Sequence, residues 1–404
     1  MGWFAPPSKP VTLSSFKERC QIKSELLQFM IPLSIPDLRG REEEYLVTCV
    51  RDNWVSSAGP FVTQFEARIA EFANRSHAVA TVNGTAALHL ALVAAGVQRD
   101  DFVIVPDWTF AATANAVYHA GATPIFVDVD EATWTLDPDL LAQAFEANAD
   151  KKISATIVVD TLGHTGDMDV LEEICRRHST PLIEDAAGAI GGEYKGRPAG
   201  NFGEFSTFSF NGNKTLTAGG GGMVLTDNEE HALLMTHLSK QARCGADYTH
   251  DAIGFNYRMT NVNAAIGLAQ CERLPEMLGR RREIFDVYNS ALSDGNILMP
   301  PPTPSWAGHN GWLYSLKCEN SSVAGSLVEH LQSNGVEART FWRSLSQQPP
   351  YKDAPKCLSG VSERLSGCVV SLPSSSSLTD GELDKVIDAL KAFDPSNVNI
   401  GIHE

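Results

Sequence analysis

The chain has 404 residues, 43% hydrophobic and 20% charged, which excludes wholesale disorder and allows two to three domains of ordinary size. Its 32 Lys and Arg stand against 49 Asp and Glu, a net charge of −17 that argues against a nucleic-acid binder and against attachment to an anionic membrane. A local basic pocket is compatible with this background, because net charge speaks to steering rather than to sites. No apolar run approaches the ~20 residues that span a bilayer. The start of the chain carries prolines and charges where a signal peptide needs an apolar stretch. Eight cysteines are spread without a CxxC pair and read as buried thiols of a reducing compartment, so a soluble cytoplasmic protein is expected.

Residues 1–35 read as an N-terminal extension, with Pro6, Pro7 and Pro10 keeping its start extended and a short amphipathic helix over 14–29. Residues 36–273 follow an α/β alternation. Short apolar runs, FVIVP at 102–106, PIFVDVD at 124–130, ATIVVD at 155–160 and PLIED at 181–185, read as strands. FSTFSF at 205–210 and GGMVLTD at 221–227 follow in the same manner. Helical segments separate several of them, including TAALHLALVAAGV and DVLEEICRRH. Strands that are apolar throughout are buried on both faces, which predicts a three-layer αβα domain with a mostly parallel, mixed sheet. Residues 274–404 read as a smaller C-terminal α+β domain. A charged helix from Leu274 leads through the proline-rich MPPPTPSWAG to a strand-like WLYSLKC and a helix at SSVAGSLVEHLQSNG. A last helix follows a capping box of Thr379 and Glu382.

NGNKT at 211–215 has a lysine but lacks the glycine that a nucleotide-binding P-loop places before it, and GxGxxG, HExxH and a serine nucleophile elbow are absent. No metal ligation is expected. What remains is Lys214, between the apolar FSTFSF and the glycines Gly219, Gly220, Gly221 and Gly222. A lysine in an apolar, loop-crowded setting loses solvation of its ammonium form and becomes a Schiff-base nucleophile. The same pattern also describes a flexible hairpin with a solvated lysine. Asp185 closes PLIED at the carboxyl edge where α/β sheets bind ligands, and there it can pair with a pyridinium nitrogen; a turn or cap residue is the alternative. Gly84 and Thr85 open a helix whose first amides can hold a phosphate, although a plain Thr cap has the same local sequence. Ser209 can place a hydroxyl on that phosphate, and Phe110 can stack on a cofactor ring or lie in the core.

Taken in order, WVSSAGPFVTQFE, VNGTAALHLAL, PDWTFAATANAV, IEDAAGAIGGEYKGRPAGNFGEFSTFSFNGNK, GGGGMVLT and IGFNYRMTNVNAAIGLAQ resemble the DegT family of sugar aminotransferases, over 36–392. The resemblance implies the aspartate-aminotransferase fold (fold type I) and the cofactor pyridoxal 5'-phosphate. It makes Lys214 the Schiff-base lysine, Asp185 the pyridinium partner and Phe110 the ring-stacker. It makes Gly84, Thr85 and Ser209 phosphate ligands, with Asn256 donated to the phosphate across a homodimer interface. The implied reaction moves an amino group from L-glutamate to a nucleotide-linked keto sugar. The SFNGNK and GGGGM wording is most similar to the branch that aminates carbon 4 of UDP-4-keto-6-deoxy-N-acetylglucosamine for bacillosamine and legionaminic acid, in bacterial surface glycans. Other keto positions, GDP- or dTDP-linked or nine-carbon sugars, and a non-catalytic cofactor-binding regulatory protein are the alternatives. Two departures from the family pattern stand out: Gly188 stands where members carry Gln, His or Glu near the phenolic oxygen of the cofactor, removing a side-chain hydrogen bond and leaving room for water or another residue, and Asp160, on the sugar side, stands where many have His. Arg243, Arg258, Arg339 and Arg343 are candidates for the sugar pyrophosphate, as against ordinary ion pairs, and 54–60 and 338–351 are candidate borders of the sugar pocket.

Overall fold

The computed structural model describes residues 30–292 and 297–395; the helix expected over 14–29 lies outside them. Seven strands, β1 (His77–Thr81), β2 (Phe102–Pro106), β3 (Thr123–Val127), β4 (Ile153–Val159), β5 (Leu182–Asp185), β6 (Phe205–Ser209) and β7 (Gly222–Thr226), join a late strand, β8 (Lys356–Cys357). They form one sheet in the order β1-β7-β6-β5-β4-β2-β3-β8. β7 runs antiparallel to both its neighbours and every other pairing is parallel, the mixed, mostly parallel sheet expected. Along β2, Val103 and Val105 enter one apolar cluster with helices Gly84–Ala94 and Ala112–His119, while Ile104 enters another with Pro138–Ala147 and Met168–Arg177. Alternate side chains thus meet helices on opposite faces, which is why these runs carry no polar face.

The charged helix does not begin at Leu274: a single helix runs from Asn261 to Leu292, 32 residues with Pro275 inside, so position 274 falls within it. Its first half packs Ala264, Leu268 and Leu274 with Phe61, Phe65 and Phe208. Its second half packs Ile284, Phe285 and Tyr288 with Leu316, Leu327 and Val370. Beyond it lies an antiparallel sheet in the order Leu298–Met299, Ser315–Cys318, Val369–Ser371, Arg339–Phe341, packed with helices Ser321–Ser333 and Asp380–Lys391. The capping box is present: Thr379 Oγ1 accepts from the Glu382 N–H at 3.3 Å and Glu382 Oε2 from the Thr379 N–H at 2.9 Å.

The sequence reading missed β8, a two-residue strand from the C-terminal part that extends the large sheet beside β3. Two buried carboxylates fix its surroundings. Asp107 accepts from the Ser346 N–H at 2.7 Å and from the Ser344 hydroxyl. Asp128 accepts from the N–H groups of Ser359, Gly360, Val361 and Ser362 at 2.7–2.9 Å, and from the Ser362 hydroxyl. Burial alone would raise the Asp128 pKa, but the Ser362 hydroxyl and these amides hold it below the usual carboxylate range. Asp128→Ala leaves at least four buried donors without an acceptor and is expected to lose about 3 kcal/mol or more in urea unfolding. Because the folded-state pKa is depressed, this contribution is present at neutral pH and disappears as pH falls below the unfolded value of about 3.9.

Candidate active site

The carboxyl ends of β2, β4, β5 and β6 open onto one cleft of about 520 Å³. At one end helix Gly84–Ala94 points its first turn inward. Asn83, not Thr85, caps it, accepting from the Ala86 N–H at 2.8 Å. A Cβ on Gly84 would stand 2.9 Å from Ser209 Cβ, and one on Gly222 would stand 2.6–2.7 Å from the Asn83 and Gly84 backbone. Glycine at both positions lets helix start, β6 and β7 meet closely enough to put Gly84, Thr85 and Ser209 on one patch of the cleft. Of the glycine run, Gly220 and Gly221 line the cleft, and the positive φ falls on Gly219 (+73°) and Gly221 (+126°).

Asp185 lies on the floor, 4% exposed, accepting from the Thr113 hydroxyl at 2.8 Å and the Ala187 N–H at 3.2 Å. Burial pushes its pKa up, opposed by these donors and by the charge of Lys214. Lys214 is half-buried in the same cleft, and withdrawal from water pulls its ammonium down to about 8, opposed by Asp185. Its Nζ sits 3.7 Å from the centroid of the Trp312 ring. Phe110 lines the wall and is 62% exposed, a surface and not a core position.

The space expected at Gly188 is filled. A Cβ there would lie 2.3 Å from the Trp312 ring, whose Nε1 donates to the Asn213 carbonyl at 2.8 Å. WLYSLKC is therefore not a strand throughout: the strand starts at Ser315, and Trp312 precedes it as part of the cleft wall. Buried Asn310 places Trp312, donating to the carbonyls of Gly188 (2.8 Å) and Ile190 (3.0 Å) while accepting from the Trp312 N–H. Gly188→Ala is expected to lose about 1–3 kcal/mol by overpacking. Trp312→Leu in the same chain should recover part of it, a coupling that a double-mutant cycle in urea reads directly.

Of the four arginines, only Arg339 lines the cleft, and it is paired with Glu337 through Nε at 3.0 Å. Arg258 is paired with Glu66, and Arg243 lies over the Tyr248 ring. Thr340, Phe341 and Trp342 join Arg339 in the wall, but Arg343 does not. No residue of 54–60 lines the cleft; Trp54 and Gly59 instead pack on Asn261, which starts the long helix. Asn256 also lies outside the cleft of its own chain, bridged to Lys240. Away from the cleft, His237, Cys244 and Asp251 bring ligand-type atoms within 4.8 Å of one another, with His237 and Asp251 paired at 2.6 Å. Thr113, Asn310 and Trp312 were not singled out from the sequence. PDWTFAATANAV and NGW contain them, but nothing in their spacing marks them.

An amine made nucleophilic by its surroundings, a buried acid, and a helix start with glycine-enforced close packing fit pyridoxal phosphate: an aldehyde, a ring nitrogen and a phosphate. The fold and the site are those of a pyridoxal-phosphate-dependent transferase. The chain belongs to the DegT/DnrJ/EryC1/StrS aminotransferase family, whose model matches residues 36–391; it is a sugar aminotransferase, and its cofactor is pyridoxal 5'-phosphate. It is 38% identical over 367 residues to a GDP-perosamine synthase of Caulobacter vibrioides, covering 89% of this chain and 97% of that one. It is 36% identical to the GDP-perosamine synthase of Escherichia coli O157:H7, covering 90% and 98%. Among solved structures it superimposes on Spr1654 from Streptococcus pneumoniae in its PLP form with a TM-score of 0.83, at 26% identity over 91% of this chain and all of that one.

Proposed function

We propose that the chain transfers the amino group of L-glutamate to the carbonyl of a nucleotide-linked keto sugar, with Lys214 and Asp185 as its central residues. The observation that carries this is their meeting in one cleft, the amine drawn down to about 8 and the acid buried at its floor. When bound, the cofactor supplies an electron sink for the carbanion formed at the donor's α-carbon. Lys214 holds the aldehyde and, once displaced, carries the proton at that carbon as a positioned base. Asp185, oriented by Thr113, keeps the ring nitrogen protonated. The Gly84–Thr85 amides and Ser209 hold the phosphate, Phe110 covers the ring, and Trp312 closes the side vacated by Gly188.

The relatives named GDP-perosamine synthase move the nucleotide preference from UDP to GDP, so a GDP-linked keto sugar is the first acceptor. The UDP-linked 4-keto-6-deoxy-N-acetyl sugar is the second reading, favoured by the SFNGNK and GGGGM segments. A homodimer with Asn256 reaching the neighbouring site is supported by its place outside its own cleft and by the 90% exposure of nearby Ile253. We place the enzyme in the cytoplasm, supported by seven free thiols among the described residues. Among the described residues, no helix is long and apolar enough to cross a membrane. The test supplies glutamate with GDP- and UDP-linked keto sugars and looks by mass for replacement of carbonyl oxygen by hydrogen and an amine, with 2-oxoglutarate formed in equal amount. Absence of 2-oxoglutarate with every acceptor overturns the reading.

A further inference from the structure

Asp160 follows β4 beside Asp185 at the end of β5, and its N–H donates to the Asp185 carbonyl at 3.1 Å. Its side chain lines the cleft at 2% exposure, and neither carboxyl oxygen has a hydrogen-bond partner. The charged groups facing it are acidic. Glu184 on β5 lies beside it but is itself an acceptor, so it offers an ionised Asp160 no donor, and its two oxygens already accept from the Gly200 N–H at 2.8 Å and the Phe202 N–H at 2.9 Å. Asp185 is occupied by Thr113 and Ala187. The two cations of this neighbourhood act on the other acids: Lys214 on Asp185, and Arg75 on Glu184. An ionised carboxylate here would be a buried charge without a donor or a counter-ion beside two like-charged groups, and one bound proton removes that penalty.

We propose that Asp160 is a proton-holding positioning residue, neutral at working pH, which leaves Asp185 as the anion that faces Lys214. The inference rests on the cofactor reading of this cleft. A second anion at 160 would hold the Lys214 ammonium more tightly and deny the site its neutral amine; a neutral Asp160 does not. Burial first, then Glu184 and Asp185, push the Asp160 carboxyl well above its ordinary range.

Asp160→Asn keeps the shape and removes the proton. Because wild-type Asp160 binds its proton more tightly folded than unfolded, it weakens the fold progressively as pH rises above about 3.9. The variant's melting temperature, measured on the protein as purified from pH 4 to 8, should therefore gain on wild type as pH rises, by about 2–4 °C at the top of the range. A lost hydrogen bond or a packing defect gives an offset independent of pH, and that result overturns the proposal. Asp160→Ser serves as a second variant with the same expected slope. In the holoenzyme, the midpoint of the pH titration of the visible absorbance should stay within about 0.3 unit of wild type, since one neutral group replaces another. A drop of about a unit or more would mean that a charge had been removed, and overturns the proposal. A wild-type protein that takes up no pyridoxal phosphate overturns the cofactor reading instead, and the melting curves still decide the state of Asp160.

Discussion

Lys214→Ala should lower transamination by at least about 10³-fold and remove the visible absorbance of covalently held cofactor, without unfolding the chain. The size of the loss follows from the two tasks placed on one nitrogen, holding the aldehyde and moving a proton, neither of which an alanine can do. Stability should move the other way. A lysine whose pKa is about 8 in the fold and about 10.4 unfolded opposes folding below pH 10, because the unfolded chain binds its proton more tightly. With both proteins stripped of cofactor, the melting temperature of Lys214→Ala at pH 7 should therefore equal or exceed that of wild type. The same pKa predicts that cofactor-free protein captures pyridoxal phosphate faster as pH rises, with a plateau above about 8. Retention of the absorbance by Lys214→Ala in the absence of added amine would remove Lys214 from its role.

Asp185→Ala carries the second large effect, a fall of about 10²–10³ in kcat with the Schiff base still formed. Its carboxyl sits at 4% exposure with one hydroxyl and one amide as donors, an arrangement that aims charge at a fixed point at some cost to folding. Since burial raises its folded pKa, the wild-type acid loses stability as pH rises above the unfolded value, and Asp185→Ala should gain on it in thermal melts over the same range. Thr113→Val removes the hydroxyl that orients Asp185 and should lower kcat in the same direction at smaller size; because that hydroxyl holds the carboxyl pKa down, this variant should lose ground to wild type in thermal melts as pH rises. Full activity in Asp185→Ala would place the ring-nitrogen partner elsewhere.

Much of this was legible because the chemistry is written in local sequence. β2 to β7 announce themselves as apolar runs, and Asp185 ends one of them, so chain order alone put it at the carboxyl edge, while Ser209 drew notice by its spacing from Lys214. Lys214 was legible for the same reason, five residues past β6. What escaped depends on distant contacts. HAVAT opens on a histidine and carries two small alanines, so it does not stand out as β1, and Lys356–Cys357 is a strand only because the edge of β3 is there to receive it. Trp312 reaches the cleft because Asn310 is anchored to carbonyls more than a hundred residues earlier. The vacancy at Gly188 was visible in the sequence, but its occupant could not be read without the fold. The long helix hid its start because Asn261 is held by residues 54 to 61, contacts that no local pattern shows.

The stitching of β8 onto β3 has a consequence for how the protein is made. Phe126 and Val127 keep an open border, and Asp107 and Asp128 keep unanswered charges, until residues 344–362 have been synthesised. A nascent chain released early, or a gene fragment stopped near the middle of the long helix, would carry a raw apolar rim ready to pair with its copies. The ribosome must therefore deliver almost the whole polypeptide before the layer that holds the cofactor can close, and truncated products should aggregate instead of surviving as half-sized enzymes.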